Sequence, residues 1–332
     1  MTRRLLDVDD LSVEELETVL GVAAGRVPDP GRPLDGKGVA LVFEKASNRT
    51  RNSCEMAVVA LGGHPVTIQS AEVGIDSRES AEDVARSLGC FHSIVCARVM
   101  AHGTLERMAG ALDHAGVPVV NLLSDRAHPC QAIADVATIR QLFGPDDPTA
   151  HPVAFVGDAN NVWRSLALAA AMVGIPTRVA SPPGFGPTDE DVARIVGLGG
   201  EVVVTDDPRE AVAGAGVVYT DVWTSMGQES ERSARLAAFA GYTVDEDLVA
   251  LAASDAIVLY CLPAHRGEEI TAGVLEGPRS AVWEQAANRM HAMRGVFTWL
   301  AYAGLREPLD DPVTGRSIPA PGPGGADHRG HR

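Results

Sequence analysis

The chain reads GVALVFEKASNRTR from Gly38 to Arg51, and this stretch predicts a buried strand that leads into a helix. The run from Gly38 to Phe43 is continuously apolar, as in parallel strands that are covered on both faces. Arg49 and Arg51 then lie in the first predicted helical turn, at the positive end of the helix dipole. Each charge costs about 0.3–1 kcal/mol there unless an anion binds. Hydroxyl groups, backbone N–H groups and two guanidinium groups together predict a phosphate-sized anion site.

The segment Arg49–Leu61 has helical character. We expect Met56, Val59 and Ala60 to form its inner, buried face. Taken alone, the segment also fits an exposed loop whose two arginines are solvated, so the decision between these interpretations depends on the rest of the chain.

Size and composition predict a two-domain protein that does not bind nucleic acid or membranes in general. A length of 332 residues suggests about two domains. A formal net charge of −16 and only 5% aromatic residues disfavour nucleic acid and anionic lipid as partners. The five cysteines are scattered without a C-x-x-C pair, which fits reduced thiols. The sequence has no apolar signal segment and no span of about 20 apolar residues, so we expect a cytoplasmic protein.

Strand-like and helix-like segments alternate along the chain, which indicates βαβ units and parallel sheets covered on both faces. We therefore predict an α/β fold with two doubly wound parallel-sheet domains of Rossmann-like type and an active site in the cleft between them. The predicted strands are Val39–Phe43, Pro65–Ile68, Ser93–Val99, Val117–Leu122, Val153–Val156, Thr177–Ala180, Glu201–Val204, Gly216–Thr220 and Ala256–Cys261. The predicted helices include Glu79–Leu88, Leu105–His114, Pro129–Phe143, Val162–Val173, Glu190–Val196, Arg232–Phe239, Glu246–Ala253 and Ser280–Ala303.

A linker is predicted at Gly144–Thr149, which is rich in turn-forming residues and lacks an apolar anchor. The first domain should comprise residues 1–145 and be completed by the C-terminal helix at about 280–305. The second should comprise residues 150–279. The tail at 310–332 is rich in Pro, Gly and His, and we expect it to be disordered.

Polar clusters follow six of the predicted strands. Ligands of open α/β sheets bind beyond the carboxyl ends of the strands, so these clusters predict one cleft shared by two domains. The clusters are Ser47–Arg51, Arg98, His128, Asp158–Asn161, Asp221–Met226 and Cys261–Pro263.

His128 and Gln131 lie at a predicted helix start, with Pro129 in the first helical position. Three residues apart, they point to the same side and can donate hydrogen bonds to a developing oxyanion. The alternative is that His128 merely caps the helix. Cys130 is more typical of packing.

The second predicted domain offers groups for an amine substrate. Asp221 can hold an ammonium group, and Ser225 with the loop backbone can meet a carboxylate, whereas Met226 alone would indicate a core residue. Cys261 can orient or deprotonate an amine, although a buried strand-end thiol is commonly inert. The loop after the first strand of this domain lacks G-x-G-x-x-G, which disfavours NAD chemistry.

Taken together, these segments resemble the aspartate/ornithine carbamoyltransferase family in its ornithine branch. The resemblance runs from about Leu41 to Leu300, with several motifs in matching order and spacing. DVWTSMG at Asp221–Gly227 and CLPAHRG at Cys261–Gly267 point to the ornithine branch. The resemblance implies that the carbamoyl group of carbamoyl phosphate is transferred to the side-chain amine of L-ornithine. The products would be L-citrulline, an intermediate of arginine biosynthesis, and phosphate.

The resemblance also implies two neighbouring substrate sites, no metal or organic cofactor, and a homotrimer or a multiple of trimers with sites at subunit borders. The carbamoyl phosphate site would comprise Ser47, Asn48, Arg49, Thr50, Arg98, His128, Gln131, Leu262 and Arg289. The amino-acid site would comprise Asn161, Asp221, Ser225 and Met226. The catalytic residues would be Arg98, His128, Cys261 and Arg289.

Four positions depart from the family pattern. Asn48 replaces the threonine of Ser-Thr-Arg-Thr-Arg, and Glu72 takes the place of a glutamine that is offered to the neighbouring subunit's carbamoyl phosphate. Tyr260 replaces the histidine of His-Cys-Leu-Pro, and Ala287 replaces the glutamate before Asn-Arg. An ionised Glu72 beside a phosphate would weaken binding unless it faces away or pairs with an arginine.

These departures leave two alternatives open. One is a specialised carbamoyltransferase that acts on another diamino acid or amine, such as a diaminopropionate-type group. The other is a non-catalytic homologue that binds an anion or a partner.

Overall fold

The computed structural model describes residues 2–25, 30–224 and 229–302, together with two short strands at 309–310 and 317–318. Two five-stranded parallel sheets organise the chain, one in each half. The predicted α/β fold with two doubly wound domains is confirmed.

The first sheet has the spatial order β1-β5-β4-β2-β3. All strands are parallel, and the order in which successive strands are added reverses between β2 and β4, whose carboxyl ends carry the Ser47 loop and Arg98. This switch point is where open α/β sheets bind ligands. The strands are β1 (Arg4–Leu5), β2 (Gly38–Phe43), β3 (His64–Gln69), β4 (Ile94–Arg98) and β5 (Val119–Leu123).

The second sheet has the order β10-β9-β6-β7-β8, with its switch point between β6 and β9. The Asp158–Asn161 loop follows β6, Asp221 follows β9, and Cys261 follows β10. The strands are β6 (Val153–Val156), β7 (Thr177–Ala180), β8 (Val202–Thr205), β9 (Val217–Tyr219) and β10 (Ile257–Leu259).

Helices connect the strands in both halves. Those of the first half are α1 (Val13–Ala23), α2 (Asn48–Ala60), α3 (Ser70–Val73), α4 (Ala81–Gly89), α5 (His102–Leu112) and α6 (Pro129–Phe143). Those of the second half are α7 (Asn161–Met172), α8 (Asp189–Gly197), α9 (Pro208–Val212), α10 (Arg232–Ala238), α11 (Glu246–Val249), α12 (Ala272–Leu275) and α13 (Val282–Tyr302). No helix in these described parts is both long and apolar enough to cross a membrane.

Helix α13 returns to the first half of the chain, where it packs against α1, α2 and α6. Its Met293, Val296 and Phe297 are fully buried in the core that these helices share. This packing carries Arg289 to the cleft side of the first sheet, next to the start of α2.

Helix α2 presents a different face to the core than we predicted. Met56 and Val59 are 52% and 51% exposed, and Ala60 is also exposed, so the prediction that they face inward is wrong. The buried face consists of smaller side chains at helical spacing, including Cys54, Ala57 and Val58. Helical periodicity fits either face here, and contact with α13 selects the one with small residues.

The structure also contains several elements that the sequence pattern did not predict. Helix α1 was not predicted, although Ser12 and Glu15 form a capping box before it. The edge strand β1 and the short helices α3, α9 and α12 were also missed. Strands Leu309–Asp310 and Ser317–Ile318 pair antiparallel within or beside the predicted tail, and the other residues of that tail lie outside the described ranges.

Candidate active site

The start of α2 forms one end of the cleft. Ser47 is the N-cap residue, and its Oγ accepts a hydrogen bond from the backbone N of Thr50 at 3.3 Å. Arg98 at the end of β4 donates from Nη1 to the same Oγ, also at 3.3 Å. A cavity of about 420 Å³ opens here, lined among others by Ser47, Asn48, Arg51 and Gln69. The first turn therefore brings backbone N–H groups and the Ser47 hydroxyl beside the Arg98 guanidinium, and Arg51 lines the cavity.

Arg49, Arg98 and Arg289 gather beside this turn. Burial lowers the pKa of Arg98 to about 10, and the charges of Arg289 and Arg49 act in the same direction. Burial also lowers the pKa of Arg49, again with a contribution from Arg289. The lowered pKa values of Arg49 and Arg98 show that positive charge is crowded here, in a site that an anion would stabilise.

His128 lies beside the same arginines. It occupies the N-cap position of α6, but its side chain makes no capping hydrogen bond, so the interpretation as a simple cap is wrong. Its backbone N donates to Ser165 Oγ at 2.9 Å. Burial, with Arg289 and Arg98 nearby, holds the pKa of His128 well below its usual value, so the ring is neutral at physiological pH. A neutral imidazole can donate a hydrogen bond from its N–H group to a developing oxyanion.

Three buried nitrogen atoms in this cluster have no hydrogen-bond partner among the described residues. They are Arg98 Nε, Arg289 Nε and His128 Nδ1. Buried polar atoms are normally paired, so unpaired donors that converge on one cleft indicate a ligand-binding surface.

Gln131 and Thr50 connect the cluster to helix α13. Arg289 donates from Nη1 to Gln131 Oε1 and from Nη2 to Thr50 Oγ1, the latter at 3.0 Å. The Gln131 amide nitrogen donates to Asp135 Oδ1 at 2.7 Å and keeps a second N–H. Cys130 is fully buried, consistent with packing.

The second half of the chain supplies the other wall. Cys261 Sγ donates to Asp221 Oδ1 at 3.1 Å, and Asn160 Nδ2 donates to Oδ2 at 2.9 Å. Burial is the main cause that raises the pKa of both Asp221 and Cys261. Asn161 donates from Nδ2 to Ser124 O at 2.7 Å, which joins the two halves at the rim of the cleft. The predicted residues Ser225 and Met226 lie outside the described residues.

Leu262 and Tyr260 flank Cys261 after β10. Leu262 is half-buried, has a φ of 59° and precedes Pro263 through a cis peptide bond. Tyr260 is buried, and its hydroxyl donates to Glu269 Oε1 at 2.6 Å. Because the Tyr260 hydroxyl is hydrogen-bonded to the loop that follows, it is not free to contact substrate.

The other three positions that differ from the family pattern lie on the surface. Glu72 is exposed and accepts from the backbone N of Gln69 at 3.3 Å, as part of the cap of α3. Asn48 is exposed and accepts from Asn52 Nδ2 at 3.0 Å. Ala287 is exposed on α13. None of these contacts blocks the arginine cluster.

One group of side chains has the spacing of a metal site within the described residues. The ligand atoms of His265, Glu268 and Glu269 lie within 4.8 Å of one another, on the loop after Leu262. Glu268 forms an ion pair with Arg232, however, and none of the three belongs to the predicted substrate sites.

Comparisons with known proteins agree with this geometry. Residues 3–141 match the carbamoyl-P binding domain of the aspartate/ornithine carbamoyltransferases, and residues 150–300 match their Asp/Orn binding domain. The ornithine carbamoyltransferase of Acidothermus cellulolyticus is 49% identical over 326 residues, with 96% of this chain and 100% of the relative covered.

Solved structures show the same likeness. The ornithine carbamoyltransferase of Thermus thermophilus is 42% identical, with a TM-score of 0.80 and coverage of 91% of this chain and 99% of that one. The anabolic enzyme of Campylobacter jejuni is 32% identical, with a TM-score of 0.84 and coverage of 90% and 98%. Two family domains in order, and a relative this similar over its whole length, establish that this chain belongs to the aspartate/ornithine carbamoyltransferase family.

Proposed function

We propose that this protein transfers the carbamoyl group of carbamoyl phosphate to the side-chain amine of L-ornithine, giving L-citrulline and phosphate. The observation that carries the proposal is the cluster of Arg49, Arg98 and Arg289, in which burial and the charge of Arg289 lower the pKa of Arg49 and Arg98, so that a bound anion would stabilise the two cations. The unpaired nitrogens of Arg98, Arg289 and His128 supply the matching donors.

Carbamoyl phosphate would bind across the start of α2. The backbone and side chains of Ser47, Asn48, Arg49 and Thr50 would hold the phosphate, where the helix dipole favours an anion. Arg98 would bridge phosphate and carbamoyl group, since it already reaches Ser47. His128, Gln131, Arg289 and Leu262 would surround the carbamoyl oxygen and amide.

Ornithine would bind against the second wall. Asp221 would hold its α-ammonium group, and Cys261 would face the side-chain amine that reacts. Asn161, Ser225 and Met226 complete this proposed subsite. The thiol stays protonated at neutral pH because burial and Asp221 both raise its pKa, so it orients the amine by hydrogen bonding rather than as a thiolate.

The reaction needs a neutral amine and a stabilised leaving group. The amine nitrogen attacks the carbamoyl carbon, negative charge develops on the carbonyl oxygen, and the bond to the phosphate oxygen then breaks. Arg98, Arg289 and neutral His128 donate to the developing charge, which lowers the barrier when they bind it more tightly than the ground state. The departing phosphate takes the bonding electron pair and accepts the proton that the amine loses.

The domain division and assembly are part of the proposal. Residues 1–145, completed by the helix at about 280–305, would bind carbamoyl phosphate, and residues 150–279 would bind the amino acid. Packing of α13 on α1, α2 and α6 supports this division. We also propose a homotrimer, because exposed Met56 and Val59 form an apolar face on the helix that borders the cleft.

The cellular setting extends the proposal. The Campylobacter jejuni relative is an anabolic enzyme, which supports a place in arginine biosynthesis. The five free thiols support a cytoplasmic enzyme.

Citrulline formation from carbamoyl phosphate and a series of diamines tests the acceptor and the site together. We expect ornithine to be the best acceptor. Arg49→Ala should lower kcat/KM by at least about 100-fold, since it removes a charged contact made in the transition state. Arg86→Ala, an exposed arginine of the same domain, is the control and should remain active. A diamine of another length that reacts over a hundredfold better would refute ornithine as substrate.

A further inference from the structure

A buried carboxylate lies behind both proposed substrate sites. Asp135, on the second turn of α6, is fully buried. Its Oδ1 accepts from Gln131 Nε2 and from Gln285 Nε2, each at 2.7 Å, and its Oδ2 accepts from the Tyr219 hydroxyl at 3.1 Å. The three donors come from α6, α13 and β9, so this side chain joins elements of both halves of the chain. Without this carboxylate the three buried donors would lose their acceptor, and an unsatisfied buried donor is energetically costly.

The first connection leads to the carbamoyl phosphate site. Because the Gln131 nitrogen is held on Asp135, its oxygen is turned toward Arg289 and accepts from Nη1. The other arm of Arg289 donates to Thr50 Oγ1. An amide without an acidic neighbour can rotate and exchange its oxygen and nitrogen. Asp135 therefore fixes the orientation of Gln131 and, through it, the position of the Arg289 guanidinium.

The second connection leads to the amine site. With its nitrogen held on Asp135, Gln285 turns its oxygen toward the chain after β10 and accepts from the backbone N of Tyr260 at 2.8 Å. Tyr260 directly precedes Cys261 and Leu262. Gln285 also donates to the Tyr219 hydroxyl at 3.0 Å, which closes the network. The same carboxylate thus anchors the strand end that carries the proposed amine-facing thiol.

We propose that Asp135 is a positioning residue that sets the geometry of both substrate sites, through Gln131 and Arg289 on one side and Gln285 and Tyr260 on the other. The proposal deepens the carbamoyltransferase function and rests on it. Asp135 touches no reacting atom, and its effect is transmitted by two amides whose orientation only an acceptor at this point enforces.

The ionisation state of Asp135 provides a readout that packing alone would not give. Burial raises the pKa of Asp135 to about 6, against hydrogen bonds from Gln285, Gln131 and Tyr219 and the charge of Arg289. The ionisable groups that face it are Arg289 on α13, Tyr219 on β9 and Cys261 after β10. Below that pH one oxygen carries a proton and can no longer accept from all three donors. Activity should therefore decline as the pH falls through this range.

Three variants and one control test the role. Asp135→Ala removes the acceptor, Asp135→Asn keeps the shape without the charge, and Tyr219→Phe removes a single donor. Thr138→Val is the control, because buried Thr138 lies on the same helix and accepts from Asn288 on α13 at 3.0 Å, outside the network. Citrulline formation is measured for each protein, with both KM values, between pH 5 and 9, together with thermal unfolding.

We expect kcat to fall by about 10- to 150-fold in Asp135→Ala, the range for loss of a hydrogen bond to a charged group, while Thr138→Val keeps the wild-type value. The acidic decline in kcat should disappear in Asp135→Asn. In Tyr219→Phe it should move to higher pH, because the lost donor had lowered the pKa of the carboxyl group. Tyr219→Phe keeps the ring that stacks on Phe155, so we expect this variant to fold. The pH dependence of its kcat can then be measured even if the Asp135 variants do not fold.

Any of three results would overturn the proposal. The folded Asp135 variants could keep the wild-type kinetics, or Thr138→Val could lose as much kcat as Asp135→Ala. The third is a decline of kcat at acidic pH that is the same in Tyr219→Phe and wild type. Failure of the proposed function looks different, since wild type would then form no citrulline. In that case Asp135 is tested by calorimetry with the phosphonate analogue of carbamoyl phosphate. Asp135→Ala should bind it at least about tenfold more weakly than wild type and Thr138→Val, and equal affinities would contradict the positioning role.

Discussion

Cys261 Sγ lies 3.1 Å from Asp221 Oδ1, although the residues follow two different strands and are 40 positions apart in the chain. Their strands β10 and β9 are neighbours, so parallel pairing brings both carboxyl ends to the same edge. Asn160 holds the other carboxylate oxygen from the loop after β6. Three adjacent strand ends therefore build one surface with a thiol and a carboxylate in fixed relation.

From the contact between Cys261 and Asp221 we predict that substitutions of either residue affect the binding of ornithine rather than that of carbamoyl phosphate. Asp221→Asn removes the charge that is proposed to face the ornithine ammonium, so the KM for ornithine should rise by about 10- to 150-fold, as for the loss of a hydrogen bond to a charged group. Cys261→Ser keeps a donor toward Asp221 and should change this KM less than Cys261→Ala does. Steady-state kinetics with each substrate varied in turn give the measurement. An equal rise in the KM for carbamoyl phosphate would contradict separate subsites.

The buried imidazole of His128 predicts a pH-dependent stability. In the folded protein its pKa is well below 6.5, whereas the unfolded chain takes up the proton near that value. The unfolded state then binds more protons below pH 6.5, so stability falls as the pH is lowered. Between pH 7.5 and 5.5 wild type should lose on the order of 1 kcal/mol of stability from this group, which His128→Gln should not lose.

Denaturant unfolding of both proteins at the two pH values isolates this contribution, because the other titrating groups are shared. A difference between wild type and His128→Gln that stays constant with pH would mean that the ring is protonated in the fold. The ring would then be unable to act as the neutral donor that the mechanism uses.

Apolar runs in the sequence were sufficient to predict most strands, because parallel strands covered on both faces are continuously hydrophobic. Residues Val153–Val156 and Thr177–Ala180 were predicted with the bounds that the structure has. Helix α6 was also predicted with its observed bounds, since Pro129 marks its first position. The prediction of the inner face of α2 was wrong. Met56 and Val59 are hydrophobic, but hydrophobicity alone does not say whether the core or another surface covers them.

The site was predictable where polar residues follow strand ends. Arg98, His128, Asp221 and Cys261 were all found in this way, and the fold brings them to one cleft. Asp135 and Gln285 were missed because they lie inside helices, 150 positions apart, and only the tertiary packing of α6 on α13 brings them together. Asp135 is the one acidic residue of α6, on a buried face that is otherwise apolar apart from Gln131 and Thr138, and this was the one signal available in the sequence.

The exposed face of α2 predicts the assembly. Met56 and Val59 are both about half exposed, and Met56→Glu would place a charge in the proposed subunit contact. Light scattering at matched concentrations should show a trimer for wild type and smaller species for Met56→Glu, with lower activity because the sites are expected to lie at subunit borders. Val196→Glu, at a 57% exposed apolar position on α8, should remain trimeric. A Met56→Glu protein of wild-type mass and activity would exclude this face.

Helix α13 carries Arg289 and approaches α1 closely at Gly295. A Cβ on Gly295 would lie 2.3 Å from the carbonyl oxygen of Val19, a backbone atom that cannot move alone. Gly295→Ala should therefore force α13 away from α1 and destabilise the protein by about 1–3 kcal/mol. Because Arg289 lies on the same helix, the KM for carbamoyl phosphate should rise as well.

Gly110→Ala is the matched control. Gly110 lies within helix α5, and a Cβ there meets nothing within 4 Å, so this change should stabilise the helix by about 0.5–1 kcal/mol. Chemical unfolding should thus move in opposite directions for the two alanine variants, and only Gly295→Ala should alter kinetics. Equal stability of both variants would show that α1 and α13 separate without cost, and α13 would then not hold Arg289 rigidly against the first domain.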